Sequence, residues 1–141
     1  MHTGDNPNLA DSFMAVARRI RHIHMGALEP FGLNPSQSRA LHVLAREERP
    51  MRLRALADHL RIVARSATDI VDSLESANLV VRENDPADRR AVLVALTDEG
   101  RTRLDAIDSA RRAVATELFD SLDSAERDEL QRILGKITTE R

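Results

Sequence analysis

The sequence predicts a mostly α-helical protein with one small β-hairpin, and three observations support this fold class. The chain of 141 residues contains only five glycines and five prolines, and its Ala, Leu, Arg, Asp and Glu content favours long helices. Apolar residues recur at steps of three and four along most of the chain. Two short valine-rich runs interrupt that pattern. A chain of this length is expected to form one compact domain, with or without oligomerising arms.

The composition also excludes several kinds of site. The chain has no cysteine, which excludes disulfides, thiolate metal sites and cysteine nucleophiles. Residues 1–9 are polar without a basic region, and no stretch approaches the roughly 18 apolar residues that a membrane span requires. We therefore expect a cytoplasmic protein that does not associate with membranes. The net charge of −2 lacks the basic excess of many nucleic-acid-binding proteins, although a few local cations can suffice.

Two helices are predicted before residue 50. Apolar residues at helical spacing predict an amphipathic helix over residues 9–28, which ends before Pro30. Asn34 and Gln37 are spaced as a capping box at the start of a second helix, which is predicted to run to Arg46.

Two shorter helices follow in quick succession. Their apolar faces are defined by Leu53, Leu56, Ala57 and Leu60 in the first, and by Ala67, Ile70, Val71 and Leu74 in the second. Only residues 61–63 separate them. Two short helices joined by such a tight turn are typical of a helix-turn-helix.

A β-hairpin is predicted directly after the second of these helices. Its strands cover residues 79–82 and 91–96, and a polar loop from Asn84 to Arg90 joins them. A hairpin in this position is a wing, so residues 34–97 are predicted to form a winged helix-turn-helix domain.

Two further helices are predicted at the C-terminal end. Thr97 can cap the first, and Asp123 with Glu126 forms a capping box at the start of the last. Residues 1–33 and 98–141 are therefore expected to form helical segments on either side of the winged domain.

The segment from Asn84 to Gly100 is similar to the wing signature of the MarR family, followed by that family's Leu-Thr-acid-acid-Gly helix start. The helix-turn-helix also resembles this family, at Leu56-Ala57, Ser66-Ala67-Thr68, Leu74-Glu75 and Leu79-Val80. The resemblance implies a transcriptional regulator that binds double-stranded DNA at a pseudo-palindromic operator, as a repressor released by a small-molecule effector. It also implies a homodimer formed by the terminal helical segments.

The wing is expected to reach the minor groove. A guanidinium can enter this narrow, electronegative groove, so Arg90 is the predicted minor-groove residue, and Asp88 is expected to hold its guanidinium in place. Arg52, Arg54 and Arg89 are predicted to contact phosphates. The alternative is that the wing-tip charges form ordinary surface ion pairs.

The second helix of the helix-turn-helix is expected to lie in the major groove. Its first turns contain the predicted reading residues Ala64, Arg65, Ser66, Thr68 and Asp69. Ser66 and Thr68 could instead cap the helix start. Asp69 and Val63 depart from the family's pattern, in which a basic or small residue and a capping serine are usual. The carboxylate of Asp69 would repel phosphates unless it accepts from cytosine or pairs with Arg65.

The terminal helices carry more apolar surface than a small core requires. Two sets at opposite ends of the chain predict an intermolecular bundle, with an intramolecular core as the alternative: Leu9, Phe13 and Val16, and Leu130, Leu134 and Ile137. Family members bind aromatic or phenolic molecules beside these helices, and His22, His24, Met25 and His42 are the candidate lining residues here.

We expect no metal site, no cofactor and no enzymatic activity. The histidines lack the four-residue spacing of a helical chelate, and the chain has no phosphate loop or nucleophile elbow. An alternative function is a protein-interaction or ligand-sequestering dimer that keeps the fold without binding DNA. It is supported by the balance of seven arginines against seven acidic residues between positions 52 and 90.

Overall fold

The computed structural model describes residues 7–139, so residues 1–6 and 140–141 of the predicted terminal segments lie outside the described range. The described residues form six α-helices, which are α1 (Pro7–Leu28), α2 (Pro35–Arg46), α3 (Leu53–Leu60), α4 (Ala64–Ser76), α5 (Asp98–Glu117) and α6 (Ser124–Thr138). A 3₁₀ turn at Glu29–Phe31 follows α1. The strands are β1 (Met51–Arg52), β2 (Val80–Asp85) and β3 (Asp88–Leu96). This mostly helical architecture with a small wing sheet confirms the predicted fold class.

The sheet is antiparallel, with β3 between β1 and β2. Its edge strand β1 was not predicted, because two residues are too few to show an alternating pattern. Met51 pairs with Val94, and Val80 pairs with Leu96. The edge strand thus connects the start of α3 directly to the wing.

The predicted polar loop over residues 84–90 was wrong. Strand β2 continues to Asp85 and β3 begins at Asp88, so only Pro86 and Ala87 form the turn. The carboxylate of Asp85 accepts a hydrogen bond from the Ala87 amide at 2.9 Å, which closes the turn locally. Polar residues therefore stay within the strands here, because both faces of the hairpin tip are open to solvent.

The hydrophobic core lies inside the winged domain. Its fully buried side chains come from α2, α3, α4 and the sheet, and include Leu41, Leu56, Val71, Leu74 and Val94. The apolar faces predicted for α3 and α4 contribute to this core as expected. Burial of these faces fixes α4 against α2 and α3, since each large aliphatic side chain removed from water contributes about 1.5–3 kcal/mol.

Local side-chain bonds define where several helices begin. Both predicted capping boxes are confirmed: Asn34 accepts from the Gln37 amide at 2.8 Å, and Asp123 accepts from the Glu126 amide at 2.8 Å. Helix α4 differs, because Val63 at its N-cap has no side chain that can accept a hydrogen bond.

The terminal helices leave much of their apolar surface uncovered. No residue of α6 is fully buried within the described range, and in α1 only Leu28 is. Leu9 is 69% exposed and Phe13 is 52% exposed. Contacts within one chain therefore do not bury the apolar faces of these helices completely. Within residues 7–139, no helix combines the length and the apolar character needed to cross a membrane.

The start of α5 is packed closely against the turn that joins α4 to β2. A Cβ atom at Gly100 would lie 2.1 Å from the backbone oxygen of Leu79. That oxygen already accepts from the Thr97 amide, and the Thr97 hydroxyl donates to the carbonyl of Asn78. Glycine is thus required at position 100 if α5 is to meet the winged domain in this orientation.

We predict that Gly100→Ala lowers the free energy of unfolding by about 1–3 kcal/mol, because the new methyl group meets backbone that has little freedom to move. Urea unfolding at fixed protein concentration measures the loss. The matched control is Gly26→Ala in α1, where nothing lies within 4 Å of the added Cβ and stability should be kept or raised. Equal stability of the two variants would contradict the close approach.

Candidate nucleic-acid interface

The turn between α3 and α4 spans residues 61–63, as predicted. Arg61 adopts a left-handed backbone conformation with φ of 55°, and the amide of Ile62 donates to the carbonyl of Ala57. A guanidinium nitrogen of Arg39 in α2 donates to the Leu60 carbonyl at 3.3 Å. These bonds fix the angle at which α4 leaves the turn.

The first two turns of α4 present polar side chains to solvent. Arg65, Ser66 and Asp69 are exposed, whereas Ala67 is buried in the core. Although Arg65 and Asp69 lie one helical turn apart, no ion pair joins them within residues 7–139. Both charges are thus available to a molecule that docks on this face.

Thr68 and Ala64 differ from that group. The Thr68 hydroxyl is half-buried and donates to the Ala64 carbonyl at 3.0 Å. It bonds back into its own helix, so it does not act as the helix-start cap that was the alternative interpretation. Ala64 is exposed and offers only a methyl group.

The wing tip carries the exposed cations Arg89 and Arg90. Neither guanidinium forms an ion pair with any described residue. The carboxylate of Asp88, which was expected to hold the Arg90 guanidinium, accepts from the backbone amide of Arg90 at 3.0 Å in the free protein. Asp88 therefore shapes the backbone of the tip and leaves the Arg90 side chain free.

The two arginines around β1 have different surroundings. Arg54 is exposed, and its guanidinium has no ion pair in the described part of the chain. Arg52, also a predicted phosphate contact, instead pairs with Asp85 at an Nη2–Oδ2 distance of 3.0 Å. The pKa of Asp85 is lowered, first because its carboxylate accepts from the Ala87 amide and then because of the Arg52 guanidinium.

Arg82 joins two elements of the interface, and the sequence did not predict this contact. Its guanidinium donates to Glu75 at 2.8 Å and to Asp72, both on α4, while its backbone amide donates to Glu75 at 3.0 Å. Strand β2 and α4 are thereby joined by three hydrogen bonds, two of them between charged groups. The sequence does show two acids on one face of a helix and an arginine on the following strand. That they form ion pairs becomes evident only when the packing of the helix against the strand is known.

The predicted ligand residues lie in different places in the structure, and their role in ligand binding stays a prediction. His22 lines a cavity of about 590 Å³ between α1 and α5, and Met25 is exposed outside it. His42 lies at the contact of α2 with α5, where its Nδ1 is 2.8 Å from the Ser38 carbonyl and its Nε2 is 2.8 Å from Asp108. The three side chains thus occupy separate environments.

His24 lies in a fourth environment, where burial and then the positive charge of Arg111 lower its pKa. Within the described residues, no group of three or more His, Asp or Glu side chains could hold a metal ion.

Comparison with known proteins identifies the fold and the family. Residues 31–91 match the model of the MarR family. The chain is 33% identical to the uncharacterized HTH-type transcriptional regulator YkoM of Bacillus subtilis over 105 aligned residues. The aligned region covers 74% of this chain and 68% of YkoM. The chain belongs to the MarR family. This MarR-family protein is therefore an HTH transcriptional regulator that binds DNA, and not an enzyme, as the sequence predicted.

One further relative and one solved structure extend the comparison over most of the chain. The HTH-type transcriptional repressor MdtR of Bacillus subtilis is 26% identical over 128 residues, which cover 89% of this chain and 81% of MdtR. A mutant of S. aureus MepR bound to an oligodeoxyribonucleotide has the same fold, with a TM-score of 0.76 at 20% identity, and the match covers 91% of this chain and 94% of MepR.

We predict that Arg82→Met lowers the free energy of unfolding by about 1–2 kcal/mol, because the charged hydrogen bonds to α4 are lost from a partly exposed site. Methionine keeps the apolar stem. The matched control, Arg101→Met, removes an exposed guanidinium on α5 that forms no ion pair within the described residues, and should change stability by less than about 0.5 kcal/mol. Equal unfolding curves for the two variants would show that the Arg82 bonds contribute nothing.

Proposed function

We propose that the protein is a homodimeric repressor that binds a pseudo-palindromic operator through α4 in the major groove and the wing in the minor groove. The observation that carries this proposal is the placement of the unpaired guanidinium groups: Arg65 on α4 and Arg89 and Arg90 at the wing tip are all exposed. Cations that are already paired within the protein release few counterions from DNA, whereas free ones can bind phosphates and base edges.

In the major groove, we assign base reading to the exposed face of α4, which we name the recognition helix. Arg65 can donate two hydrogen bonds to guanine, and Ser66 can bond to either a base or a phosphate. The carboxylate of Asp69 can accept from the amino group of cytosine, which would offset its repulsion from phosphates. Thr68 is a weaker candidate, because its hydroxyl proton is already bonded to the Ala64 carbonyl.

In the minor groove, we assign the insertion to Arg90, supported by Asp88 through the Arg90 backbone amide. Arg54 and Arg89 are the proposed phosphate ligands, which position the protein without reading sequence.

The uncovered apolar faces of the terminal helices support the homodimer. A groove of about 500 Å³ separates α1 from the C-terminal end, and it is lined by Phe13, Val16, Leu122, Leu130 and Leu134 among others. Two copies related by a twofold axis would bury these faces against each other. In this proposal, residues 1–33 and 98–141 are the dimerisation segments, and residues 34–97 are the DNA-binding domain.

The cavity between α1 and α5 supports an effector site. It is lined by apolar side chains such as Ile23, Phe31 and Val114, with His22 as a polar group. A small aromatic or phenolic molecule fits this chemistry, since its ring would pack on the apolar wall and its hydroxyl could bond to the imidazole. Binding there would move α5 relative to the winged domain that packs on its first turn.

The alternative, a protein-interaction or ligand-sequestering dimer, has the local balance of arginines and acids in its favour. A mobility-shift assay on the DNA upstream of the protein's own gene, with excess competitor DNA, separates the two. We expect a specific complex at nanomolar dimer concentration that weakens steeply with salt. Absence of a shift at every salt concentration would favour the alternative.

Arg90→Ala is expected to weaken operator binding by about 1–3 kcal/mol per site, because the groove contact is lost while the fold is kept. The mobility-shift titration measures this loss. Arg46→Ala is the matched control, since it removes an exposed arginine of α2 that lies outside the dimerisation segments and is not among the proposed DNA contacts, and it should leave the affinity unchanged. Wild-type affinity of the Arg90 variant would contradict the wing assignment.

Phe13→Asp is expected to weaken dimerisation by at least about a hundredfold, because it places a carboxylate in each copy of an apolar interface. Sedimentation velocity measures the dissociation. Ala15→Asp makes the same change of charge at an exposed position of α1 that does not line the groove, and it should remain dimeric. A dimeric Phe13 variant with wild-type helix content would exclude this face as the interface.

A further inference from the structure

We infer that Arg52 is a positioning residue of the wing: it holds Asp85, and through it the tip that carries Arg89 and Arg90, and it is not itself a phosphate ligand. The inference rests on the proposed role of the wing in the minor groove. It changes the role that the sequence predicted for Arg52.

The ion pair joins the two edges of the sheet. Strands β1 and β2 both pair with β3 and are not paired with each other. Arg52 lies opposite Leu93 of the central strand, and Glu83 of β2 lies opposite the same residue. The guanidinium of Arg52 must therefore cross β3 to reach Asp85, two positions further toward the tip than Glu83. Helix α3 begins directly after Arg52, so this side chain connects the helix-turn-helix to the distal end of the wing.

The tip depends on side-chain bonds because its backbone ladder is irregular. The pairing changes from Asn84 opposite Val92 to Asp85 opposite Asp88. One step along β2 therefore corresponds to four steps along β3, and residues 89–91 of β3 have no paired residue on β2. Such a bulge disrupts the ladder locally, and this one falls on the two arginines proposed to contact DNA.

Both carboxylate oxygens of Asp85 are occupied in this arrangement. Oδ1 accepts from the Ala87 amide at 2.9 Å, and Oδ2 accepts from Arg52 at 3.0 Å. The Asp85 side chain is only 12% exposed, whereas that of Arg52 is 54% exposed. A poorly solvated carboxylate requires its partner, so the pair fixes where the turn at Pro86 and Ala87 lies relative to the sheet.

The same pairing limits what Arg52 can contribute to phosphate binding. Its positive charge is matched by the negative charge of Asp85, so the pair adds no net charge to the DNA-facing surface. Arg54 lies two residues away, is exposed, and has no ion pair within the described residues. Arg54 is therefore a suitable comparison for Arg52. In this proposal Arg52 positions the wing tip, and Arg54 binds a phosphate directly.

The test is the double variant R52Q/D85N of the full-length protein, which removes the pair without changing the net charge. An amide at position 85 can still accept from the Ala87 amide. We expect operator binding to weaken roughly five- to twentyfold, within the range of coupling between contacting groups, because DNA must then order the tip. Arg89 and Arg90 still reach the DNA in the complex, so the dependence of log Kd on log salt keeps its wild-type slope. R54Q is the matched control, and it should lower that slope by about one.

A second readout does not involve DNA. In NMR spectra of the free protein, we expect the amide resonances of residues 87–90 to move in R52Q, which leaves Asp85 and its bond to the Ala87 amide in place, and to keep their positions in R54Q. A salt slope lowered by one in the double variant, unchanged affinity, or unmoved amide resonances would each overturn the inference. If the double variant does not fold, as judged by circular dichroism, the amide measurement on R52Q decides.

Failure of the proposed function has a different signature. If Arg90→Ala binds the operator with wild-type affinity, the minor-groove role of the wing is wrong, and the amide resonances alone then decide whether Arg52 positions the tip. If Arg90→Ala weakens binding while the double variant does not, only the positioning role of Arg52 is wrong.

Discussion

The bonds between Arg82 and two acids of α4 join the two parts of the proposed DNA-binding surface. The core fixes the buried face of this helix, but the wing is a narrow hairpin whose tip lies outside the core. Arg82 contacts Glu75 through both its guanidinium and its backbone amide, and Asp72 through its guanidinium, so the base of β2 follows the position of α4. The Arg52–Asp85 pair extends this connection to the tip. Reading residues on a helix and a groove-inserting arginine on a hairpin can act together only if their separation is fixed.

Charge pairing also explains how a chain with a net charge of −2 can keep individual guanidinium groups available to DNA. Between positions 52 and 90, the acids Asp72, Glu75 and Asp85 are paired with two of the seven arginines. Within the described residues, the guanidinium groups of the other five, at positions 54, 61, 65, 89 and 90, form no ion pairs. The relevant quantity for DNA binding is therefore the number of unpaired cations at the surface rather than the net charge.

Features formed by residues that are close in sequence were predictable, whereas features formed by residues that only the fold brings together were not. The capping boxes at Asn34 and Asp123 each involve residues three apart, so their spacing alone indicated them. The three-residue turn between α3 and α4 followed from the same periodicity. Strand β1 is too short to show an alternation of apolar and polar residues. The full length of the hairpin was not predicted, because the residues at its tip are polar and resemble a loop. The partners of Arg52 and Arg82 lie 33 and 7 to 10 residues away, on elements whose contact only the fold reveals.

In the proposed complex, a twofold dimer places two recognition helices and two wings on one operator. Hydroxyl-radical footprinting on the operator, once a mobility shift has located it, tests this arrangement most directly. We expect two protected half-sites on one face of the duplex, centred about 10–10.5 base pairs or a multiple of that apart, with protection of the flanking minor grooves that disappears in the Arg90→Ala variant. A single protected half-site, or minor-groove protection that persists without Arg90, would contradict it.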